Sequence, residues 1–473
     1  MIEIIAIDTP SLGDRGYLAT DGSVALVVDA QRDFDRVLAI ANDRNVTITH
    51  VFETHMHNDY VTGGLALATA VGAQYLVNAD DPVSFRRTPV ADGDLIKLGD
   101  MRVRALATPG HTFTHLSYLL ADGDQVVAAF TGGSLLNGTT GRTDLLGDEH
   151  KRTLAKAQFG SARRLASELP DTAAICPTHG FGSFCSATPA LGGPSTIGDE
   201  KRVNPALTKS EAAYIQELIA GLDVFPAYYA HMGAANRAGP RAPDLSPPRR
   251  ADTADLRRRI EAGEWVVDLR SRTAFAAGHL RGALNFEIGT NLATYLGWLI
   301  PWGMPLTLIG DTAQVVADAQ RELCRIGIDR IEAAADGQPG EWAAGEKLAE
   351  FATADFTTLA ARMDGVAGAD GVGGDGGVGG DGGAERDALV LVDVRRTSEW
   401  QAGHIPGAVH IPLHELSARM GEIPAGEIWV HCQAGYRAAV AASLLGAAGR
   451  QVVAINADFS SAGVAGLAIA MGT

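Results

Sequence analysis

Two stretches of the chain carry reactive side chains at spacings that chemistry can use. In ETHMHNDYVTGG (Glu53 to Gly64), His55, His57 and Asp59 fall on alternate positions directly after the apolar run THVF. Where a strand ends and the chain turns, such side chains can face one pocket, and imidazoles with a carboxylate form a metal-ligand set. Tyr60 stands where a further ligand would be expected. TPGHT then supplies His111 and PTHG supplies His179, each after another strand-like run. Much later, EIWVH leads into Cys432-Gln-Ala-Gly-Tyr-Arg437 and the helical AAVAASLLGAA. A cysteine in a short loop containing Gly435 at a helix N-terminus meets outward-pointing N–H groups and the positive end of the helix dipole. With Arg437 as a fixed cation, this setting favours the nucleophilic thiolate.

The elements that must position these residues divide the chain. Up to about Cys176, strand-like runs (IEIIAI, VALVVD, THVF, QYLV, MRVRAL, QVVAAF, AAIC) alternate with helical patterns such as FDRVLAIAN and KRTLAKAQFGSARRLASEL, which predicts an α/β domain with its reactive loops at strand ends. KSEAAYIQELIAGLDVFPAYYAH adds a helix and turn, and GPRAPDLSPPRR has linker composition. GVAGADGVGGDGGVGGDGG, from Gly365, has too little apolar surface to fold and reads as a flexible tether. VVDLRSRTAFAAGHLRGALNF (Val266 to Phe286) aligns without a gap on LVDVRRTSEWQAGHIPGAVHI (Leu391 to Ile411), at a constant offset of 125. This offset is a domain duplication, too long for a solenoid repeat. The expected domains are 1–245, 251–345 and 387–473, with a linker at 364–386.

The downstream copy resembles the rhodanese family of sulfurtransferases in its early DVR, its GHIPGAVHIP run and its CxxGxR loop. The resemblance implies that Cys432 carries sulfane sulfur as a persulfide, with the loop amides, including that of Gly435, and Arg437 holding the anion. The upstream copy has Asp311 or a close neighbour where the cysteine should be, which implies a catalytically silent domain. Cys324, in a helical pattern, is expected to be core. The series THxHxD then TPGHT resembles the metallo-β-lactamase fold over about residues 1–240, an αββα sandwich, and within it the persulfide dioxygenases fused to rhodanese domains. GRTDL resembles the part of the family pocket that binds the thiol carrier, so Arg142 and Thr143 could hold a substrate carboxylate, or could form an ordinary polar turn. The dioxygenases use two histidines and an aspartate of a TGD motif. This chain reads FTGGSLL, with Gly133 in the aspartate's place, although an aspartate there would complete the triad if the backbone allowed it. With Tyr60 and Gly133 at the two positions a dinuclear site needs, the expectation is one Fe(II) or Zn(II) per chain on His55, His57 and His111. Asp59 is placed to join these ligands or to orient one. His179 is a spare ligand, a group behind the ligands or a structural histidine. Cys185 is a sulfur acceptor facing the pocket or a buried inert thiol.

Composition narrows the partners. A net charge of −17 opposes nucleic acid and anionic membranes, and 46% hydrophobic with 20% charged residues is a globular composition. Four widely spaced cysteines make no disulfide framework. No signal peptide or membrane span is evident, so a cytoplasmic protein is expected, with homo-oligomerisation left open. The leading expectation is a sulfur-metabolism fusion enzyme acting on low-molecular-weight thiols, persulfides and thiosulfate. It would oxidise persulfide at the metal and transfer sulfane sulfur at Cys432, the tether raising the effective concentration of one site at the other. The alternatives are a sulfurtransferase whose first domain only binds thiols, and a zinc-dependent thioester hydrolase.

Overall fold

The computed structural model describes residues 2–188, 190, 193–369 and 388–472. The chain divides into two compact units, Met1–Leu245 with Arg321–Asp329, and Ser246–Gln320 with Arg330–Thr473.

The first unit holds two six-stranded sheets. In one, antiparallel strands Glu3–Thr9, Asp14–Thr20 and Val24–Val28 continue into parallel strands Thr47–Phe52, Gln74–Asn78 and Thr88–Val90. In the other, Leu95–Leu98, Met101–Ala107, Leu116–Asp122 and Gln125–Gly132 run antiparallel, Ala174–Pro177 adds parallel to the last of them, and the short Ser195–Thr196 pairs antiparallel at the edge. Alternating side chains sort to opposite faces, as the two-residue period of a strand requires. Tyr17, Leu26, Phe52, Tyr118 and Phe130 pack between the sheets. Leu18, Val27 and Val51 pack outward against Val37 and Leu67 of helices Asp35–Asp43 and Gly64–Val71. Leu106, Leu119 and Ala129 pack outward from the second sheet, with Ala162 and Leu165 of helix Lys151–Glu168. With both faces buried, most strands read as unbroken apolar runs. This is the αββα layering expected. Strand Asp14–Thr20 (DRGYLAT) gave no such signal, because its polar and glycine residues interrupt the run.

The second unit has two parallel sheets. One orders Leu284–Asn285, Trp265–Asp268, Leu306–Gly310 and Ile331–Asp336; the other orders Ala352–Ala354, Val452–Ile455, Glu427–His431, Leu389–Asp393 and Val409–His410. The sequence repeat has a physical basis. Arg270 Nη2 donates to Asp268 at 2.6 Å and to Gly278 O at 3.0 Å, and Arg395 repeats both bonds to Asp393 and Gly403 O at 2.6 and 2.8 Å. His279 stacks on Phe275 and His404 on Trp400, each at 3.8 Å between ring centroids. The repeated DxR and GH therefore form one buried brace, built twice.

One expectation changes. Strand Ala352–Ala354 and helix Phe356–Ala369 precede the Gly/Asp-rich segment, yet the strand pairs with Val452–Ile455 and the helix packs Phe356 and Leu359 into the core of Trp429 and Ile455. The downstream sheet thus begins at 352 rather than 387. Residues 364–369 of the expected tether close a helix, and 370–387 lie outside the described residues. Both flanks of that segment belong to one sheet, so it does not separate two centres, and the effective-concentration argument fails. Among the described residues no helix is long and apolar enough to cross a membrane.

Candidate metal centre and sulfur-transfer loop

Four strand ends bring the first centre together. Thr47–Phe52 delivers Glu53 to Asp59, Met101–Ala107 delivers His111, Gln125–Gly132 delivers Gly133, and Ala174–Pro177 delivers His179. His55, His57, Asp59, His111 and His179 are all buried. Candidate ligand atoms of His55, His111 and His179 lie within 4.8 Å of one another, as do those of His57, Asp59 and His179. The expected trio of His55, His57 and His111 is not one of these tight groups. His179 takes the third place beside His55 and His111, its Nε2 3.4 Å from His55 Nε2. His57 is drawn back because its Nε2 faces Tyr60 Oη at 2.9 Å, Glu53 at 3.2 Å and Asp29 at 3.3 Å.

Hydrogen bonds behind the imidazoles set which nitrogen points inward. His111 Nδ1 donates to the Arg142 carbonyl at 2.8 Å, leaving Nε2 buried with no hydrogen-bond partner. His55 Nδ1 lies 2.9 Å from Thr54 Oγ1. His57 Nδ1 is likewise buried and unpartnered. Burial and the neighbouring imidazoles hold His55 well below its ordinary range and push His111 down to about 3, so both are neutral donors. Burial opposes protonation of His57 and His179 as well. Asp29 and Glu53 outweigh it at His57, raising it to about 9, and Asp59 and Asp14 outweigh it at His179. Inward-facing imidazole nitrogens beside the Asp59 carboxylate are a donor set that fits a divalent cation.

Two residues that sequence reading passed over hold this arrangement. Asp29, at φ 53°, accepts Thr54 N and Thr54 Oγ1 at 2.8 Å each, and Thr178 Oγ1, tying the loops of His55 and His179 together. Its signal was the aspartate closing VALVVD. His115 lies stacked beside His55, with ring centroids 5.0 Å apart.

Gly133 is not simply a missing carboxylate. A Cβ there would stand 2.3 Å from His111 Cδ2 and 2.5 Å from Cγ, and a Cβ on Gly141 would stand 2.7 Å from His111 Nδ1. The ring lies between two bare backbones, and the space an aspartate side chain would enter is already filled. The expectation that Gly133→Asp would complete a triad is therefore withdrawn. The backbone is no obstacle, since Gly133 lies outside the left-handed region; the imidazole is.

The expected substrate residues are also committed elsewhere. Arg142 donates to both Asp144 carboxylate oxygens at 2.7 and 2.8 Å, to Phe184 O at 2.9 Å and to Asp223 O at 2.7 Å, while its guanidinium lies over Phe225. Thr143 is buried and donates to Lys151 O. Neither is presented to a substrate; Arg142 serves the centre through its carbonyl. Cys185 is buried, and burial together with the Asp59 and Asp14 carboxylates keeps it a protonated thiol.

In the second unit, strand Glu427–His431 ends at buried Cys432, whose Sγ accepts the Gly435 N–H at 3.1 Å, and helix Tyr436–Ala447 follows. Gly435 has φ 89°, and a Cβ there would meet Asn456 Oδ1 at 2.5 Å, so glycine is required. Arg437, expected as the fixed cation of the loop, makes a two-point ion pair with Glu399 at 2.6 and 2.7 Å. Burial opposes ionisation of Glu399, but Arg437 wins and holds it at about 2. In the upstream sheet, strand Leu306–Gly310 occupies the matching central place and ends at Asp311. Cys324 is buried, and burial pushes its thiol up to about 12.

Comparison with known proteins agrees with this fold. Residues 382–461 match the rhodanese-like domain family. The hydroxyacylglutathione hydrolase of Rhizobium johnstonii is 30% identical over 208 residues, covering 39% of this chain and 77% of that protein. The mitochondrial persulfide dioxygenase of Homo sapiens is 27% identical over 207 residues, covering 43% and 73%. A metallo-β-lactamase crystal structure from Staphylococcus aureus subsp. aureus COL superposes with a TM-score of 0.63 at 28% identity, covering 71% of this chain and 99% of that one. Fold and site thus define an enzyme with a metallo-β-lactamase-fold first domain. Within that class, the chain belongs to the family of the hydroxyacylglutathione hydrolases, is similar as well to the persulfide dioxygenases, and carries a rhodanese-like domain over residues 382–461.

Proposed function

We propose that the chain is a two-centre sulfur enzyme, in which a metal centre acts on an S-substituted low-molecular-weight thiol and Cys432 transfers sulfane sulfur. The observation that carries the second activity is the Cys432 loop, where the Sγ atom receives a backbone N–H at the start of a helix within the rhodanese-matched segment. A thiolate there attacks the outer sulfur of thiosulfate, forming the Cys432 S–S bond and releasing sulfite. A thiolate acceptor then takes that sulfur, forming its own persulfide and returning the Cys432 thiolate. The upstream copy, with Asp311 in the cysteine's place, is silent because a carboxylate cannot hold sulfane sulfur.

At the first centre, His55, His111 and His179 would hold one Fe(II) or Zn(II), with His57 and Asp59 beside it. The ion supplies a Lewis acid with open positions for substrate sulfur. The chain's own residues keep His55 and His111 neutral and oriented, exclude water by burial, and hold a proton on His179 Nδ1, hydrogen-bonded to Asp14 Oδ1 at 2.9 Å with Asp59 Oδ2 beside it at 3.0 Å. Persulfide oxidation, in which glutathione persulfide, O2 and water give glutathione, sulfite and two protons, is the leading reaction. Thioester hydrolysis is a second reading, supported by the imidazole-rich donor set and the hydrolase relatives. Oxygen uptake with glutathione persulfide, run beside cleavage of an S-acylglutathione and metal analysis, decides between them. Thioester cleavage without oxygen uptake would favour hydrolysis. Loss of both would leave a sulfurtransferase with a thiol-binding first domain.

A further inference from the structure

His115 sits among the clustered histidines but offers them no nitrogen. Its Nε2 accepts the Gly133 N–H at 3.0 Å, and its Nδ1 lies 2.9 Å from Thr108 Oγ1, which in turn lies 2.8 Å from Ser117 Oγ. The first bond fixes the tautomer, because a ring nitrogen that accepts an N–H must be unprotonated. Nδ1 then carries the hydrogen and donates it to Thr108. Both ring nitrogens are thus spoken for, and His115 is no ligand.

The carbonyl of Gly133, on the other side of its Cα, is held as firmly. Gly133 O accepts Gln158 Nε2 at 3.1 Å and Gly141 N at 2.9 Å. Gln158 and His115 are both buried, so each of these bonds is shielded from water. The residue pinned between them is the one whose missing side chain makes room for the His111 ring. On its far side the ring meets Gly141, and its Nδ1 is tied to Arg142 O.

We propose that His115 is a positioning residue for the metal centre. With Gln158 it clamps both polar backbone groups of Gly133, one on each side of its Cα, so that bare backbone lies against His111 and Nε2 has one direction in which to point. The proposal rests on reading the histidine cluster as a metal centre, and explains what stands in the place of a side chain at 133: a backbone wall, braced by an imidazole. A water or a mobile side chain could satisfy the Gly133 N–H, but neither would fix the position of the Gly133 Cα against the ring.

The test uses the full chain loaded with Zn(II) or Co(II). Affinity is read by competition with a chelator, and geometry by the visible absorption of the Co(II) form, neither of which depends on turnover. His115→Phe keeps the ring volume and removes the acceptor. It should weaken metal binding by about 10- to 100-fold, the range seen when groups behind ligands are removed, and should alter the Co(II) spectrum. His115→Gln, which can still accept the Gly133 N–H, should recover most of both. Where His115→Phe fails to fold, Thr108→Val, which removes the hydroxyl that accepts the His115 Nδ1 hydrogen and holds the ring in place, should show the same spectral change and a several-fold weaker affinity. His111→Ala separates the two levels. If it binds metal as tightly as the unaltered protein, the metal-centre reading fails. If it loses metal while His115→Phe, or in its stead Thr108→Val, keeps wild-type affinity and spectrum, the positioning role of His115 is overturned.

Discussion

The sharpest consequence of the Gly133 geometry is that adding a side chain there should weaken metal binding, even a side chain able to ligate. In Gly133→Ala the new Cβ would stand 2.3 Å from His111 Cδ2. Ordinary carbon contact begins near 3.5 Å, so ring and backbone must separate by about 1 Å. The ring has little freedom, since Nδ1 is bonded to Arg142 O at 2.8 Å and Gly141 closes the far side. Gly133 is bonded through both its N–H and its carbonyl. Overpacking of this kind costs about 1–3 kcal/mol of stability, which in a unit of this size lowers the melting temperature by about 2–10 °C. A 1 Å displacement is several times the roughly 0.2 Å tolerance of metal–ligand distances, so the His111 contribution is largely lost and affinity should fall by about 10- to 100-fold. Gly133→Asp meets the same clash and also buries a carboxylate. Chelator competition and differential scanning fluorimetry on the unaltered protein, Gly133→Ala and Gly133→Asp give both quantities. Tighter metal binding by Gly133→Asp, with an unchanged melting temperature, would show that His111 yields readily and that the ring is not held as argued.

Three further outcomes are expected. Cys432→Ser should abolish sulfur transfer from thiosulfate to cyanide or to glutathione, whereas Cys324→Ser should leave it within about twofold, because that thiol is buried and protonated; transfer that survives the first change would remove Cys432 from the reaction. Arg142→Gln should destabilise the protein by about 3–5 kcal/mol, the cost of breaking a buried ion pair, without selectively raising KM for glutathione-based substrates. A KM rise at full stability would return Arg142 to substrate binding. Glu399 has its folded pKa depressed to about 2 from an ordinary 4.5, so the Arg437 pair stabilises fully above that ordinary value and is lost as pH falls through the folded one. Denaturant unfolding should therefore lose stability from about pH 4.5 down to about 2, and Glu399→Gln should flatten that slope; equal slopes would mean that the pair contributes nothing.

What the sequence by itself determined is what depends on neighbours along the chain. His55, His57 and Asp59 on alternate positions after a strand, His111 after a later strand-like run and Cys432 between a strand and a helix were all legible, because a strand end followed by a turn gathers nearby side chains whatever the rest of the fold does. The duplication was legible for the same reason: Asp268–Arg270 and Asp393–Arg395 are two-residue braces. The tertiary structure decided every choice between partners distant in sequence. His179 stands beside His55 and His111 because the strand ending at Pro177 pairs with the one ending at Gly132, and His57 turns to Asp29 and Glu53, which no spacing rule predicts. Arg142 looked available because two of the partners that occupy its donors, the carbonyls of Phe184 and Asp223, lie far along the chain. Ala352–Ala354 joined the downstream sheet across 370–387 because strand pairing is set by edges in space, not by order in sequence. Gly133 read as the absence of an aspartate; only packing showed that the missing side chain is the room the His111 ring requires.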